Sequence, residues 1–339
     1  MSAEPTVVVT ANVETGCLDV LAGHARIVIN DGVDPWPRER LIEHCREATA
    51  VIAFMPDTVD DAFLRACPSL RIVAGALKGY DNFDDAACSR HGVWLTVVPD
   101  LLSAPTADLA IGLMLGLSRH MIVGDRLIRG GGYQSWRPIL YGKGLQGSHV
   151  GILGFGNVGR EIARRLTGFG ATVTYADDAP VPKETEEALG VQASGFDQVL
   201  TQSDFLVLAL PLTERTVRVI DRAVLDRVKP GCLLINPARG SLVDEPAVAD
   251  ALSDGRLGGY AADVFACEDL AQNDRPAGIE PRLLADRERT VFTPHLGSAV
   301  TTVRHEIVAE AALNVLDVLQ GRAPRGAVNR PFPAQETAG

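Results

Sequence analysis

The sequence predicts an α/β protein of two lobes, each a parallel sheet wound on both faces by helices. Three observations predict it. Short apolar runs alternate with amphipathic stretches in two separate series, one over residues 1–102 and one from 149 onward. A long stretch that is apolar all round, 104–129, separates them. A glycine-rich turn follows the first apolar run of the second series directly. Alternation of this kind builds parallel sheets, whose strands read as continuous apolar runs because both faces are covered.

The first series reads as strands at TVVVT (6–10), RIVIN (26–30), AVIAF (50–54), RIVAG (71–75) and WLTVV (94–98). Helices are expected at 37–48 and 59–67, the second capped by Thr58. This is a small unit of flavodoxin-like character. The stretch 104–129 reads as one long helix after Ser103, ending at Gly130-Gly131-Gly132. A helix apolar all round is buried, between lobes or between subunits. The second series gives strands at 149–154, 171–177, 204–211, 231–238, 258–265 and 290–294. Helices at 158–167, 222–228 and 246–254 alternate with them, a Rossmann-like pattern. A last helix covers about 300–319, and the tail PFPAQETAG (331–339) is expected to be disordered.

A chain of 339 residues is long enough for two domains and needs no covalent staples. Its formal charge of -11 argues against nonspecific nucleic-acid binding, which needs a basic surface. The longest uninterrupted apolar run, Leu109–Leu117, is far short of a membrane span, and the start MSAEPTVVV lacks a signal-type core. A cytoplasmic protein without membrane partners is expected. The six cysteines lack the short spacings of zinc or redox motifs, so free thiols in a reducing compartment are expected, and no metal site.

The turn reads Gly154-Phe155-Gly156-Asn157-Val158-Gly159, a G-x-G-x-x-G between a strand and a helix. Gly154 permits the tight turn, Gly156 lets backbone approach a pyrophosphate, and Gly159 permits close helix–strand packing. The pyrophosphate then meets free N–H groups at the helix start. Asp177 lies at the end of the next strand, about twenty residues on. A carboxylate there accepts from the ribose hydroxyls of NAD and repels the extra phosphate of NADP. Asp178 follows, doubling the repulsion, and no arginine is adjacent.

Three residues form a candidate catalytic set: Arg239 in NPARGSLVDE, Glu268 in YAADVFACED and His295 in TPHLGS. All follow strands of the second series, on the side where such sheets place ligands. A histidine with a carboxylate on one ring nitrogen has a fixed tautomer and suits acid–base work. Taken singly, Arg239 also reads as a surface ion pair, Glu268 as a solvated acid and His295 as a core histidine.

Together, GILGFGNVGR, NPARGSLVDE, AADVF and TPHLGS resemble the D-2-hydroxyacid dehydrogenase superfamily over nearly the whole chain. The resemblance implies a split substrate-binding lobe, 1–102 with 298–330, and a nucleotide-binding lobe, 103–297, inserted into it. It implies Arg239 as substrate anchor, His295 as acid–base and Glu268 as its partner. It places NAD against Lys78, Thr106, Gly154, Gly156, Asn157, Val158, Gly159, Asp177, Pro211, Pro237, Ala238, Arg239, Asp263 and His295, with Asp263 on the nicotinamide carboxamide.

The first lobe narrows the resemblance. Hydroxyacid dehydrogenases usually carry small residues ahead of their DN-[IVF]-D motif, whereas AGALKGYDNFDD places Lys78 there. AFMPD (53–57), VPDLLSAPTADLAIGL (98–113), SWRPILYG (135–142) and GSAVTTVRHEI (297–307) resemble the phosphite (phosphonate) dehydrogenase branch. The pair Asp177-Asp178, where that branch carries a single acid, and segment 181–200 depart from it. The implied reaction oxidises phosphite to phosphate, with hydride passing to NAD and water as nucleophile. A tetrahedral dianion favours a second cation besides a guanidinium fork, so Lys78 is expected opposite Arg239, with Arg304 as a third charge. Met55 and Trp136 read either as core packing or as pocket wall, Trp136 reaching across a homodimer interface. Two other readings stay open: a D-2-hydroxyacid dehydrogenase of glyoxylate or hydroxypyruvate reductase type, and a non-enzymatic corepressor-like binding protein on the same fold.

Overall fold

The computed structural model describes residues 4–98 and 100–331. The tail expected to be disordered lies, from 332 on, outside the described residues. In chain order the first elements are β1 (Thr6–Val9), β2 (Arg26–Ile29), α1 (Arg38–Cys45), β3 (Ala50–Ala53), α2 (Asp61–Ala66), β4 (Ile72–Gly75), α3 (Asp85–Arg90) and β5 (Trp94–Thr96). Then come α4 (Ser103–Ser118), α5 (Met121–Arg129), β6 (His149–Leu153), α6 (Asn157–Leu166), β7 (Thr172–Ala176), α7 (Lys183–Leu189), β8 (Val191–Ala193), α8 (Phe196–Gln202) and β9 (Phe205–Leu208). The chain closes with α9 (Arg222–Leu225), β10 (Cys232–Asn236), α10 (Glu245–Ser253), β11 (Leu257–Ala262), α11 (Pro281–Ala285), β12 (Thr290–Phe292) and α12 (Thr301–Leu319).

Two compact units result: 1–102 with 300–339, and 103–299. The first holds a five-stranded sheet, order β2-β1-β3-β4-β5, every pairing parallel. Alternate residues of each strand feed two cores. Val8, Val51 and Val73 pack with Leu41, Phe63 and Cys88 from α1–α3. Val7, Ile52 and Ile72 pack with Ile307 and Val315 of α12 and with Leu18 and Leu21 of a 3-10 turn. Because both faces are covered, the strands are apolar at nearly every position.

The second unit holds a seven-stranded parallel sheet, order β12-β11-β10-β9-β6-β7-β8. Numbered within the unit, this is the dinucleotide-binding order 3-2-1-4-5-6 with one more strand at the edge. The order reverses between β6 and β9, and the glycine turn follows β6. One face packs Ile152, Val207 and Ile235 against Met114 of α4 and Ile162 of α6; the other packs Leu206, Leu234 and Tyr260 against Val248 and Leu252 of α10.

Three expectations are corrected. The long helix is two helices, bent by 61°. Its break has a long-range cause: the Ser118 carbonyl, at the end of α4, accepts from Lys143 N–H at 3.0 Å. Gly142 lies so close to that carbonyl that a Cβ would clash. His120 takes the left-handed conformation (φ 52°), and α5 leaves at a new angle with no residue buried. The cap of α2 is Asp60, which accepts the Phe63 N–H at 2.8 Å, rather than Thr58. Segment 181–200, to which the sequence assigned no element, contains α7, β8 and the start of α8, and α3 and α11 are also additional. Strands end one to three residues early where the chain turns into ligand-facing loops, as at β9. Among the described residues no single helix is long and apolar enough to cross a membrane. All six cysteines are free thiols.

Candidate active site

The glycine turn is built as its spacing requires. Gly154 has φ +90°, and a Cβ there would lie 2.6 Å from the Ala209 carbonyl oxygen. A Cβ on Gly159 would lie 2.4 Å from the Gly154 carbonyl oxygen, so only glycine lets α6 start this close to β6. A Cβ on Gly156, by contrast, would meet nothing within 4 Å, which leaves room for a phosphate to reach the backbone. Gly156 caps α6 with no side-chain hydrogen bond, and exposed Asn157 and half-buried Val158 open the helix beside it. These residues fit a dinucleotide pyrophosphate.

Asp177 is exposed, and its oxygens accept the N–H groups of Phe155 (2.5 Å) and Ala179 (2.7 Å). The carboxylate is thereby tied to the glycine turn. Asp178 is not a lone second negative charge: although no arginine is adjacent in sequence, the fold brings Arg215 to it at 2.9 Å. Pro211 is exposed, and its carbonyl accepts from Thr216 Oγ1.

The candidate catalytic loops come from three strand ends of this same unit. After β10, buried Asn236 closes a turn: its Oδ1 accepts Ala238 N–H at 3.1 Å and its Nδ2 donates to the Arg239 carbonyl at 2.8 Å. Pro237 is buried and Ala238 half-buried. Gly240 then packs on the Phe265 backbone so tightly that a Cβ would sit 1.8 Å from the carbonyl carbon. This fixes half-buried Arg239 against the loop that carries Glu268.

Glu268 Oε1 accepts the Phe265 N–H at 2.6 Å, and its Oε2 meets His295 Nδ1 at 2.7 Å. The two residues come from separate loops, 27 positions apart, and only the fold joins them. His295 has φ 56°, an uncommon conformation for a residue with a Cβ. Asp263 holds that bend. It is buried and accepts from Thr293 Oγ1 (2.6 Å), Leu296 N–H (2.6 Å) and Gly297 N–H (2.7 Å). Burial pushes the Asp263 carboxyl up, opposed by those donors. The side chain that the resemblance assigns to the carboxamide is thus largely committed to the His295 loop. A Cβ on Gly297 would meet Thr106 Oγ1 at 3.1 Å, which places Thr106 beside the same loop.

Two positioning residues escaped sequence reasoning. Buried Glu245 accepts Ala266 N–H and Glu280 N–H, each at 2.9 Å, and buried Asp269 accepts Ser241 N–H at 2.6 Å. Both stitch the Arg239 and Glu268 loops together. The only signal was acidic residues inside otherwise apolar surroundings.

In the first unit, Met55 and Lys78 follow the neighbouring strands β3 and β4. Met55 is half-buried and packs against the core beneath the sheet, so the core reading describes it there. Lys78 is half-buried, and burial lowers its amine below the ordinary lysine value, against the pull of Asp100. The Arg304 guanidinium lies over the Phe54 ring, 5.6 Å from its centre, and is likewise shifted down by burial. Trp136 is 76% exposed, so the core-packing reading fails for it.

A family model, D-isomer specific 2-hydroxyacid dehydrogenase, NAD binding domain, matches residues 111–297. The cofactor is therefore NAD(H), for which the glycine turn and Asp177 fit. Named relatives include glyoxylate reductases of Thermococcus onnurineus, 33% identical over 96% of both chains, and of Thermococcus litoralis, 34% identical over 87% of both. Among solved structures, the TT0316 protein from Thermus thermophilus aligns at TM-score 0.86 and 32% identity, covering 95% of this chain and 99% of its own. A glyoxylate reductase from Paecilomyes thermophila aligns at 0.84 and 26%, covering 96% and 98%. Three of these four proteins carry the name glyoxylate reductase, whereas the first-lobe motifs point to phosphite dehydrogenases. The fold, the glycine turn and the matched family together make this chain a member of the D-isomer specific 2-hydroxyacid dehydrogenase family.

Proposed function

We propose that this oxidoreductase acts on phosphite, passing its hydride to NAD and yielding phosphate. One observation carries the reading: Lys78, in the loop after β4 where hydroxyacid dehydrogenases usually carry small residues, is a half-buried cation. Arg304, stacked on Phe54, adds a second cation to that unit. A carboxylate substrate is satisfied by one guanidinium fork; a compact dianion rewards additional charge. The chain's charge of -11 makes such local cations necessary for holding any dianion.

Bound NAD supplies the hydride acceptor. The chain's own residues do the rest. His295 takes the proton of the attacking water at its Nε2. Glu268 orients the imidazole through Nδ1. Arg239 and Lys78 bind the oxyanion and stabilise the charge that builds during attack. The test is Lys78→Ala. It should raise the KM for phosphite at least tenfold while leaving NADH affinity within about threefold, tenfold being about 1.4 kcal/mol. Equal effects on both would remove Lys78 from substrate binding.

A second reading, reduction of glyoxylate or a related 2-oxoacid, is favoured by the names of the relatives. It uses the same Arg239, Glu268 and His295 but gives Lys78 no substrate role.

The homodimer belongs to this proposal too. α5 and the segment after it expose Met121, Ile128, Tyr133, Trp136 and Tyr141, an apolar surface of the kind a second copy covers. Sedimentation should show a dimer, and Trp136→Glu with Tyr141→Glu should shift it toward monomer.

A further inference from the structure

The Asp178–Arg215 ion pair joins loops that follow β7 and β9, the two strands flanking β6. It therefore spans the sheet end from which the glycine turn emerges. Arg215 sits on an ordered turn: Thr216 Oγ1 donates to the Pro211 carbonyl (2.7 Å) and accepts the Thr213 N–H (2.8 Å). Asp178 adjoins Asp177, whose two oxygens are tied to backbone N–H groups. Asp178 and Arg215 are 86% and 84% exposed, so their pairing contributes little free energy and exchanges readily.

We propose that Arg215 is a specificity residue for the cofactor: Asp178 occupies it in the native chain, and once released it receives a 2′-phosphate on the adenosine ribose. A phosphate dianion is a stronger partner for a guanidinium than a carboxylate is. Native Asp178 opposes that contact in two ways, by competing for the guanidinium and by repelling the phosphate. The inference rests on the dinucleotide site alone and is independent of the substrate.

The experiment is calorimetric titration with 5′-AMP and with 2′,5′-ADP, which differ only in the 2′-phosphate. Four proteins are compared: wild type, Asp178→Ala, Arg215→Ala and the double variant, all retaining Asp177. Affinity for 5′-AMP should stay within about threefold throughout, since neither side chain is needed for the fold at such exposure. Asp178→Ala should bind 2′,5′-ADP at least tenfold more tightly than wild type, and the double variant should lose that gain. Raising the salt should also shrink the gain, because an exposed charge pair is screened. A gain that survives in the double variant assigns the effect to removed repulsion alone and overturns the proposal. No gain in Asp178→Ala, or loss of 5′-AMP binding there, overturns it as well. A wild-type chain that binds neither nucleotide overturns both the proposal and the dinucleotide site beneath it.

Discussion

Glu268 divides its carboxylate between two partners, the Phe265 N–H at 2.6 Å and His295 Nδ1 at 2.7 Å. The first contact immobilises the acid on its own loop. The second then fixes the imidazole of a different loop, which Asp263 has already bent into place through three donors. With Nδ1 donating to Glu268, Nε2 keeps its lone pair and is the nitrogen to which the proposed function gives the proton.

Two substitutions separate base from positioner. His295→Asn should retain NADH binding, read by fluorescence, and lose turnover by about a hundred- to ten-thousandfold. Glu268→Gln should lose less, because an amide oxygen still accepts from Nδ1. Equal losses in the two variants would give Glu268 more than an orienting part.

Gly240→Ala tests how the Arg239 loop is held. An added Cβ would meet the Phe265 backbone at 1.8 Å, where neither atom is the end of a flexible chain. The expected cost is about 1–3 kcal/mol of stability, with turnover at least tenfold down, measured by urea unfolding and steady-state kinetics.

Much of this was legible beforehand. Strands such as Ala50–Ala53 are buried on both faces, which makes them continuous apolar runs in the sequence. Gly154, Gly156 and Gly159 carried their meaning in their spacing, although only the Gly159 contact, with the Gly154 carbonyl, is local, and Gly154 is also crowded by Ala209 from the loop after β9. What stayed hidden was set by contacts distant in sequence. The α4–α5 break depends on residues 142–143 returning to Ser118. The partner of Asp178 is 37 positions away. Thr58 and Asp60 are both good capping types, and only the backbone geometry before α2 selects between them.

A pH dependence follows from Lys78. Burial lowers its amine, so the charged form, to which the proposed function assigns anion binding, is lost on raising the pH sooner than for an ordinary lysine. The KM for an anionic substrate should therefore climb below the usual lysine range. Lys78→Arg, which stays charged, should move that limb to higher pH. A limb unmoved by Lys78→Arg would belong to another group.

Asp204 makes a stability prediction. Burial alone would raise its carboxyl, but the His149 N–H and the ammonium groups of Lys229 and Lys143 hold it well below the ordinary range. Its contribution is then present above the ordinary aspartate value and lost as pH falls through the lowered one. Asp204→Asn should cost about 1–2 kcal/mol at neutral pH, discounted because both lysines are partly exposed. The difference from wild type should vanish in acid, as followed by thermal unfolding across pH.

One spectrophotometric comparison decides the substrate. Purified protein is mixed with NAD and either phosphite, D-lactate or D-glycerate, and with NADH and glyoxylate, while absorbance of the reduced nicotinamide is followed. NAD reduction with phosphite is expected at a kcat/KM at least a hundredfold above that for any of the carboxylates. Rapid turnover of glyoxylate or D-glycerate with none of phosphite would contradict it and leave the 2-hydroxyacid reading in its place.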